Sequence, residues 1–345
     1  MYITENKVKF AIVGCGHIGK RHAEMISRNP EGEVVGLCDI KPKDQLGIDN
    51  YDVPFFQSLD EMLKSDIKFD VLNICTPNGL HVEQSLKGLE YRKHIVCEKP
   101  MGLTTMGCES VIFKALQVSK QVFCVMQNRY SPPSVWIKEI IENKIFGDIY
   151  MVQLNCYWNR DERYYKKDTW KGSKEFDGGT LFTQFSHFID IMYWLFGDIK
   201  DIQAKFNNFN HANLIEFEDS GIVSFNFVNG GMGSINYSTS VWDKNMESSI
   251  TIIGSKGSVM IGGQYMNQVE YCHIKDYVLP ELPPASPAND YGDYKGSANN
   301  HHFVIENVIN TLKGRSTIST NALEGLKVVD IIERIYSLKD KTLTK

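Results

Sequence analysis

The hexapeptide Gly14-Cys15-Gly16-His17-Ile18-Gly19 narrows the fold more than any other stretch of this sequence. It follows the β-branched run 8–13 without a gap and opens a segment of helical apolar spacing, 18–28. Between a strand and a helix each glycine has a task. The first makes the tight turn and the second lets backbone approach a pyrophosphate. The third lets helix and strand pack closely, while the helix N-terminus faces the anion. Asp39 ends the next apolar run, 34–38, and lies 20 residues beyond Gly19. A carboxylate there accepts hydrogen bonds from ribose hydroxyls and repels a 2′-phosphate, so the expected cofactor is NAD, with NADP disfavoured. Lys41 works against that preference.

Strand-like runs recur at 71–75, 95–97 and 122–126, with helical spacing at 59–64, 82–89 and 105–119. Repeated strand–helix units with continuous apolar strands imply a doubly wound parallel sheet, an α/β Rossmann domain over 1–128. The pattern then changes. Pro132-Pro133 breaks the chain, a helix is expected at 135–143, a half-buried strand at 150–157, and one long helix at 180–196 that stops at Gly197. Alternating stretches at 214–217, 221–228, 232–238, 249–253 and 258–261 read as antiparallel strands. Residues 279–297 read as a long surface loop, and helices are expected at 303–313 and 323–337. Residues 129–345 are thus an α+β domain with an open, mostly antiparallel sheet, assigned to substrate binding and oligomerisation.

Two domains suit 345 residues, and 42% apolar with 23% charged residues gives each a core. A net charge of −5 argues against nucleic acid or an anionic membrane as partner. No run approaches the ~20 apolar residues of a membrane span, and 1–7 is polar, so a cytoplasmic protein is expected. Eight scattered cysteines form no CxxC pair, which fits reduced, buried thiols. No metal site is expected. His17 and His22 are five apart and do not share a helix face, so they are read as surface or supporting residues. The adjacent His301 and His302 point apart and are read as a loop or helix start.

Two further segments fall at strand ends, where a doubly wound sheet binds its ligands: Cys75-Thr76-Pro77-Asn78-Gly79-Leu80-His81 and Glu98-Lys99-Pro100. A fourth mark is the glycine turn and helix from Gly178-Gly179 through Thr183, Gln184 and His187 to Asp190. Together these motifs resemble the Gfo/Idh/MocA family of glucose–fructose oxidoreductase and inositol dehydrogenase, in order and over nearly the whole chain. The resemblance implies a sugar or polyol substrate held between the two domains. It also implies an NAD site made by Gly14, Gly16, His17, Ile18, Gly19, Asp39, Cys75, Thr76, Pro77, Asn78, His81, Glu98, Lys99, Pro100 and Gln127. Lys99 matches the family's active-site lysine and His187 its catalytic histidine. The family often carries an Asp four residues before that histidine. Here the position is Thr183, which cannot serve as a carboxylate, so the proton work falls to His187 and Lys99.

Thr183-Gln184-Phe185-Ser186-His187, Trp170-Lys171-Gly172 and Gln127-Asn128-Arg129-Tyr130 look like the UDP-N-acetylglucosaminuronate 3-dehydrogenase branch of surface-polysaccharide synthesis. A diphosphate and a carboxylate call for cations and aromatic surfaces. Arg129, Arg160, Arg163 and Lys171, with Tyr157, Trp158, Tyr164, Tyr165 and Trp170, are the candidates. The expected substrate contacts are Lys99, Asn128, Arg129, Arg160, Trp170, Lys171, Thr183, Gln184 and His187. The expectation is an NAD-dependent dehydrogenase oxidising a ring hydroxyl of a nucleotide sugar, C3 of UDP-N-acetylglucosaminuronate. A free-sugar or inositol dehydrogenase, and a non-catalytic NAD-dependent sensor or scaffold, remain as alternatives. The open sheet points to a homodimer or homotetramer.

Overall fold

The computed structural model describes residues 2–3, 6–167 and 169–339, so the polar start at 1–7 lies partly outside the description. The chain divides into two compact units: Met1–Met126 with His301–Val329, and Gln127–Asn300 with Asp330–Lys345.

In the first unit, β1 (Val8–Val13), β2 (Gly32–Cys38), β3 (Phe55–Phe56), β4 (Val71–Ile74), β5 (His94–Cys97) and β6 (Val122–Cys124) form one sheet. Their order is β3-β2-β1-β4-β5-β6, and every pairing is parallel. β4 and β5 are buried at every residue, as expected of strands covered on both faces. The helices are α1 (His17–Arg28), α2 (Leu59–Lys64), α3 (His81–Glu90) and α4 (Thr105–Val118). Ser58 caps α2 by accepting from the Glu61 amide at 3.2 Å, and Thr104 caps α4 through the Gly107 amide at 3.1 Å. The strand order reverses between β1 and β4, which puts the Gly14 and Cys75 backbones side by side where such folds bind ligands.

The second unit opens with a 3₁₀ turn (Gln127–Tyr130) and α5 (Pro132–Glu142). The two prolines do not break the chain; they occupy the first helical turn, where their fixed φ fits and no N–H is needed. β7 (Ile149–Tyr157) leads to a π-helical turn (Leu181–Phe185) and α6 (Ser186–Phe196). Then come β8 (Ile199–Asn207), β9 (Ser220–Phe227), β10 (Met232–Ser238), β11 (Glu247–Gly254), β12 (Gly257–Gly262) and β13 (Gln268–Ile274). These seven strands lie in the order β13-β12-β11-β7-β10-β9-β8. Only β7 and β10 pair in parallel. One sheet face buries Val152, Leu154, Val223, Phe225, Ile235, Ile250 and Ile252; the other leaves Met151, Ile222, Met232 and Ile253 exposed.

Three expectations need correction. Residues 214–217 are not a strand: a turn closes on the His211 carbonyl, and Ile215 and Phe217 bury against Tyr164 and Tyr165 in a small cluster of their own. The loop expected at 279–297 contains a hairpin, β14 (Ala288–Asp290) and β15 (Lys295–Ala298). Its turn holds Gly292 at φ +80°, with the Gly292 amide donating to the Asp290 carboxylate at 3.0 Å. The single helix expected at 180–196 is a π-helical turn followed by α6.

α7 (His301–Leu312) and α8 (Ala322–Tyr336) complete the chain. α7 packs against α1, and Lys313 and Arg315 both pair with Glu31. These contacts hold 301–329 in the first unit. The boundary read from the sequence, after residue 128, lies two residues from the first division and did not include this return.

Candidate active site

The nucleotide end is built by close backbone approach. Gly14 has φ +87°, and a Cβ there would lie 2.6 Å from the Cys75 carbonyl oxygen. A Cβ on Gly19 would lie 1.8 Å from the Gly14 carbonyl oxygen, so helix and turn can meet only without it. Gly16 differs: a Cβ there meets no atom within 4 Å, leaving room beside the start of α1. No side chain caps that helix and no acidic residue stands in its first turn. Such an end attracts a pyrophosphate. Asp39 accepts the Cys15 amide at 2.7 Å and the Lys41 amide at 2.9 Å, which ties the end of β2 to the glycine turn. A carboxylate has about four acceptor positions, so ribose hydroxyls can still bond to it. The residues present fit NAD.

The two strand-end motifs are laced together. The His81 ring contacts the Thr76 carbonyl through Nε2 at 2.9 Å and the Pro100 carbonyl through Nδ1 at 2.6 Å. Burial pushes the His81 pKa down, so the neutral ring donates to one carbonyl at a time. Thr76 donates to Gln84 at 2.6 Å, and Asn78 is buried at the start of its turn. Burial raises the Cys75 thiol well above its ordinary value, which makes it a poor nucleophile. Lys99 is half-buried at the end of β5. Glu98 beside it is buried and accepts from His22 Nε2 at 2.9 Å. His22 is therefore no surface residue. Among the described residues, His22, Glu98 and His301 are the one group whose donor atoms could converge on a metal ion.

In the second unit, His187 is buried in the first turn of α6. The Gln127 amide donates to its Nε2 at 3.2 Å, so Gln127, expected near the cofactor, stands beside the histidine. Asn300 holds the Gln127 carbonyl at 3.3 Å and Ser131 at 3.1 Å, while Ser297 donates to Asn128 at 2.6 Å. Thr183 lies in the π-helical turn, a feature frequent at functional sites. A buried carboxylate, that of Asp177, lies beside this position: it accepts from the Thr183 hydroxyl and, at 2.9 Å, from the Gly172 amide.

The cations divide unexpectedly. Arg129 forms a buried two-point pair with Asp190, Nε to Oδ2 at 2.8 Å and Nη2 to Oδ1 at 2.6 Å. Arg160 is fully buried over the Trp158, Tyr164 and Tyr294 rings. Its N–H groups go to Gln184 at 2.7 Å, the Asn159 carbonyl at 2.6 Å, Asn245 at 3.1 Å and the Lys295 carbonyl at 3.1 Å. Arg163 is exposed and paired with Asp161 and Asp243. Trp158, Tyr164 and Tyr165 are buried core rings, whereas Tyr157 and Trp170 stay half-buried. Lys171, like Arg160, has no carboxylate partner among the described residues; it donates to the Tyr294 hydroxyl at 3.4 Å. Its amine lies 3.8 Å from the Tyr164 ring centroid and 4.7 Å from that of Tyr294. Burial, then the nearby Arg160 charge, pulls its pKa down to about 8.

Sequence reasoning missed Asp177, Asn300, Asn73 and the partnership of His22 with His301. The contacts of Asn300, Asn73, His22 and His301 join positions far apart in the chain, and no local spacing signals them. Asp177 bonds Gly172 and Thr183 nearby, through an irregular loop and a π-helical turn that carry no regular spacing.

Residues 8–126 match the model of an oxidoreductase family with an NAD-binding Rossmann fold, and residues 135–260 match the GFO/IDH/MocA C-terminal domain. Among solved structures, the chain is similar to the WlbA dehydrogenase from Chromobacterium violaceum in complex with NADH and UDP-GlcNAcA. Identity is 32% and the TM-score 0.88, covering 99% of this chain and 96% of that one. The WlbA dehydrogenase from Bordetella pertussis, also with NADH and UDP-GlcNAcA, is 31% identical with a TM-score of 0.86, covering 98% of each chain. Glucose-6-phosphate 3-dehydrogenase from Bacillus subtilis is 27% identical over 58% of this chain and 57% of that protein.

Proposed function

Because the chain belongs to the Gfo/Idh/MocA oxidoreductase family, as an NAD-dependent dehydrogenase of sugars, we propose that its substrate is a nucleotide sugar, a UDP-N-acetylglucosaminuronate oxidised at C3. One observation carries this reading: the likeness to two WlbA dehydrogenases, bound to NADH and UDP-GlcNAcA, extends over at least 98% of the chain at 31–32% identity. Free-sugar relatives match at lower identity or over less of the chain. No helix among the described residues is long and apolar enough to cross a membrane. All eight cysteines are free, which supports a reduced, cytoplasmic setting.

Bound NAD supplies the hydride acceptor. In this reading His187 takes the proton of the substrate hydroxyl at Nε2, the hydroxyl displacing the Gln127 amide that donates to this nitrogen here. Lys99 stabilises the negative charge that develops on the oxygen. In this reading Arg160 and Arg129, both buried and bonded within the second unit, support the site, and the substrate's anionic groups fall mainly to Lys171. Arg160 acts instead by fixing Gln184 and the Tyr164 ring. Lys171 is the cation for a uronate or phosphate oxygen.

The test is a substrate screen by absorbance of reduced nicotinamide. UDP-sugar uronates should turn over, while neutral UDP-sugars and free sugars lag by at least ~10-fold in kcat/KM. Turnover of inositol or glucose at equal efficiency would overturn the reading. Lys171→Met should raise KM for the uronate roughly 10–100-fold with kcat nearly unchanged, the worth of ~1.5–3 kcal/mol for a hydrogen bond to a charged group. The sign of the pH effect follows from its lowered pKa. The amine loses its charge as pH rises through about 8, so wild-type KM should climb above that pH and the variant's should not.

A homodimer or homotetramer through the exposed sheet face is part of the same proposal. Met151, Ile222, Met232 and Ile253 lie open on that face, an apolar surface that favours a partner. Light scattering at micromolar concentration should give two or four copies, and Ile222→Lys with Met232→Lys should yield monomers.

A further inference from the structure

We infer that Glu98 is a positioning residue for Lys99, held in place by a buried network of His22, Asn73 and His301. The inference rests on Lys99 being the active-site lysine proposed above. Lys99 leaves the end of β5 on a flexible stem, and the backbone at its root sets where that stem starts. The Lys99 amide donates to Glu98 Oε2 at 3.2 Å. The other carboxylate oxygen, Oε1, takes His22 Nε2 at 2.9 Å and lies 3.5 Å from His301 Nε2. His22 is fixed in turn, because the Asn73 amide on β4 meets its Nδ1 at 2.8 Å. With Asn73 as donor, His22 must carry its proton on Nε2, the tautomer that donates to Glu98. The two histidine rings pack edge to face at 5.8 Å. The carboxylate is thus held from α1 by His22, which Asn73 on β4 steadies in turn, with the His301 ring of α7 beside it.

All four side chains are at least nine-tenths buried: Asn73 0%, His22 1%, His301 1% and Glu98 7% exposed. Burial alone pushes the Glu98 carboxyl up, but the bonds from His22 and His301 outweigh it and hold it well below the usual carboxylate range. Burial pushes His301 down, toward the neutral ring. A buried carboxylate costs several kcal/mol and adds little stability over an apolar filling. Its use lies in geometry: a side chain whose rotamer is fixed by a buried, itself supported histidine fixes the peptide it touches. Misplacing a reacting group by ~1 Å can cost ~10²-fold.

The experiment compares Glu98→Gln, Glu98→Asp and His22→Asn in the full chain with the UDP-uronate substrate. Glu98→Gln should lower kcat roughly 10–100-fold, with KM and NADH affinity within about 3-fold and thermal midpoint within a few degrees. Glu98→Asp keeps the charge and should recover part of the loss, and His22→Asn should show the same split at smaller size. If Glu98→Gln does not fold, the split read on His301→Gln decides. Unchanged kcat, or NADH affinity falling in step with kcat, would overturn the inference. So would an equimolar metal in the purified protein by elemental analysis that His22→Asn removes. Full turnover by Lys99→Ala would instead remove the reading beneath it, whereas full turnover by Glu98→Gln in an enzyme that needs Lys99 removes this inference alone.

Discussion

His187→Ala and Lys99→Ala each lower kcat by ~10²–10⁴-fold, the usual cost of losing a positioned acid or base, while NADH titration gives a dissociation constant near wild type. The separation follows from where the residues sit. In the proposed reading the glycine turn, the α1 N-terminus and Asp39 carry most of the NAD affinity, and neither substitution alters them. His187 lies in the first turn of α6 with Gln127 at its Nε2, so in the proposed reading its loss removes the proton acceptor and leaves the nucleotide end intact. Thr183→Ala has a smaller effect: it takes a hydroxyl from Asp177, whose other oxygen keeps the Gly172 amide. Stopped-flow measurement of nicotinamide reduction separates chemistry from product release. If either alanine variant keeps more than about a tenth of wild-type kcat, the role assigned to that residue is wrong.

Asp190→Asn destabilises the second unit by ~3–5 kcal/mol, because it leaves the Arg129 guanidinium buried without its carboxylate. Both side chains are at most 5% exposed and joined at two points, so water cannot take the place of the lost partner. For a unit of this size the midpoint should fall by roughly 6–20 °C, at ~2–4 °C per kcal/mol. The double variant Asp190→Leu with Arg129→Met should recover most of that loss, since well-packed apolar residues often match a buried ion pair. Calorimetry of the three proteins checks both statements. A single variant within 2 °C of wild type would mean that the pair is solvated in solution.

Legibility in the sequence followed the range of the interactions. The turn at Gly14 was readable because strand, glycines and helix adjoin in the chain, and the structure adds only the distances that make each glycine necessary. The family motifs placed Lys99 at a strand end and His187 within the helix expected at 180–196; the structure puts His187 in the first turn of α6. What stayed hidden were the partners. Arg129 and Asp190 lie 61 positions apart, and His22 and Glu98 lie 76 apart. A reader of the sequence counts Arg129 and Arg160 as exposed cations, while the fold buries both and bonds them to protein partners. β8 and β13 were hard to place for another reason. They lie at the two sheet edges and carry charge along their length, Lys200, Asp201 and Lys205 in one, Glu270 in the other. Charged edges blunt the alternation by which strands are recognised.

The return of 301–329 to the first unit has a consequence for how the protein is made. α1 buries Ala23, Met25 and Ile26, and α7 brings Val304, Ile305, Val308 and Ile309 to the same unit. A ribosome that has finished residue 126 has made every strand of the parallel sheet but not this covering helix. Residues 127–300 must be synthesised first, which at roughly 5–20 residues per second takes on the order of ten to thirty seconds. During that interval the nascent sheet carries an uncovered apolar flank, a window in which chaperone binding or misassembly with neighbouring chains competes with folding.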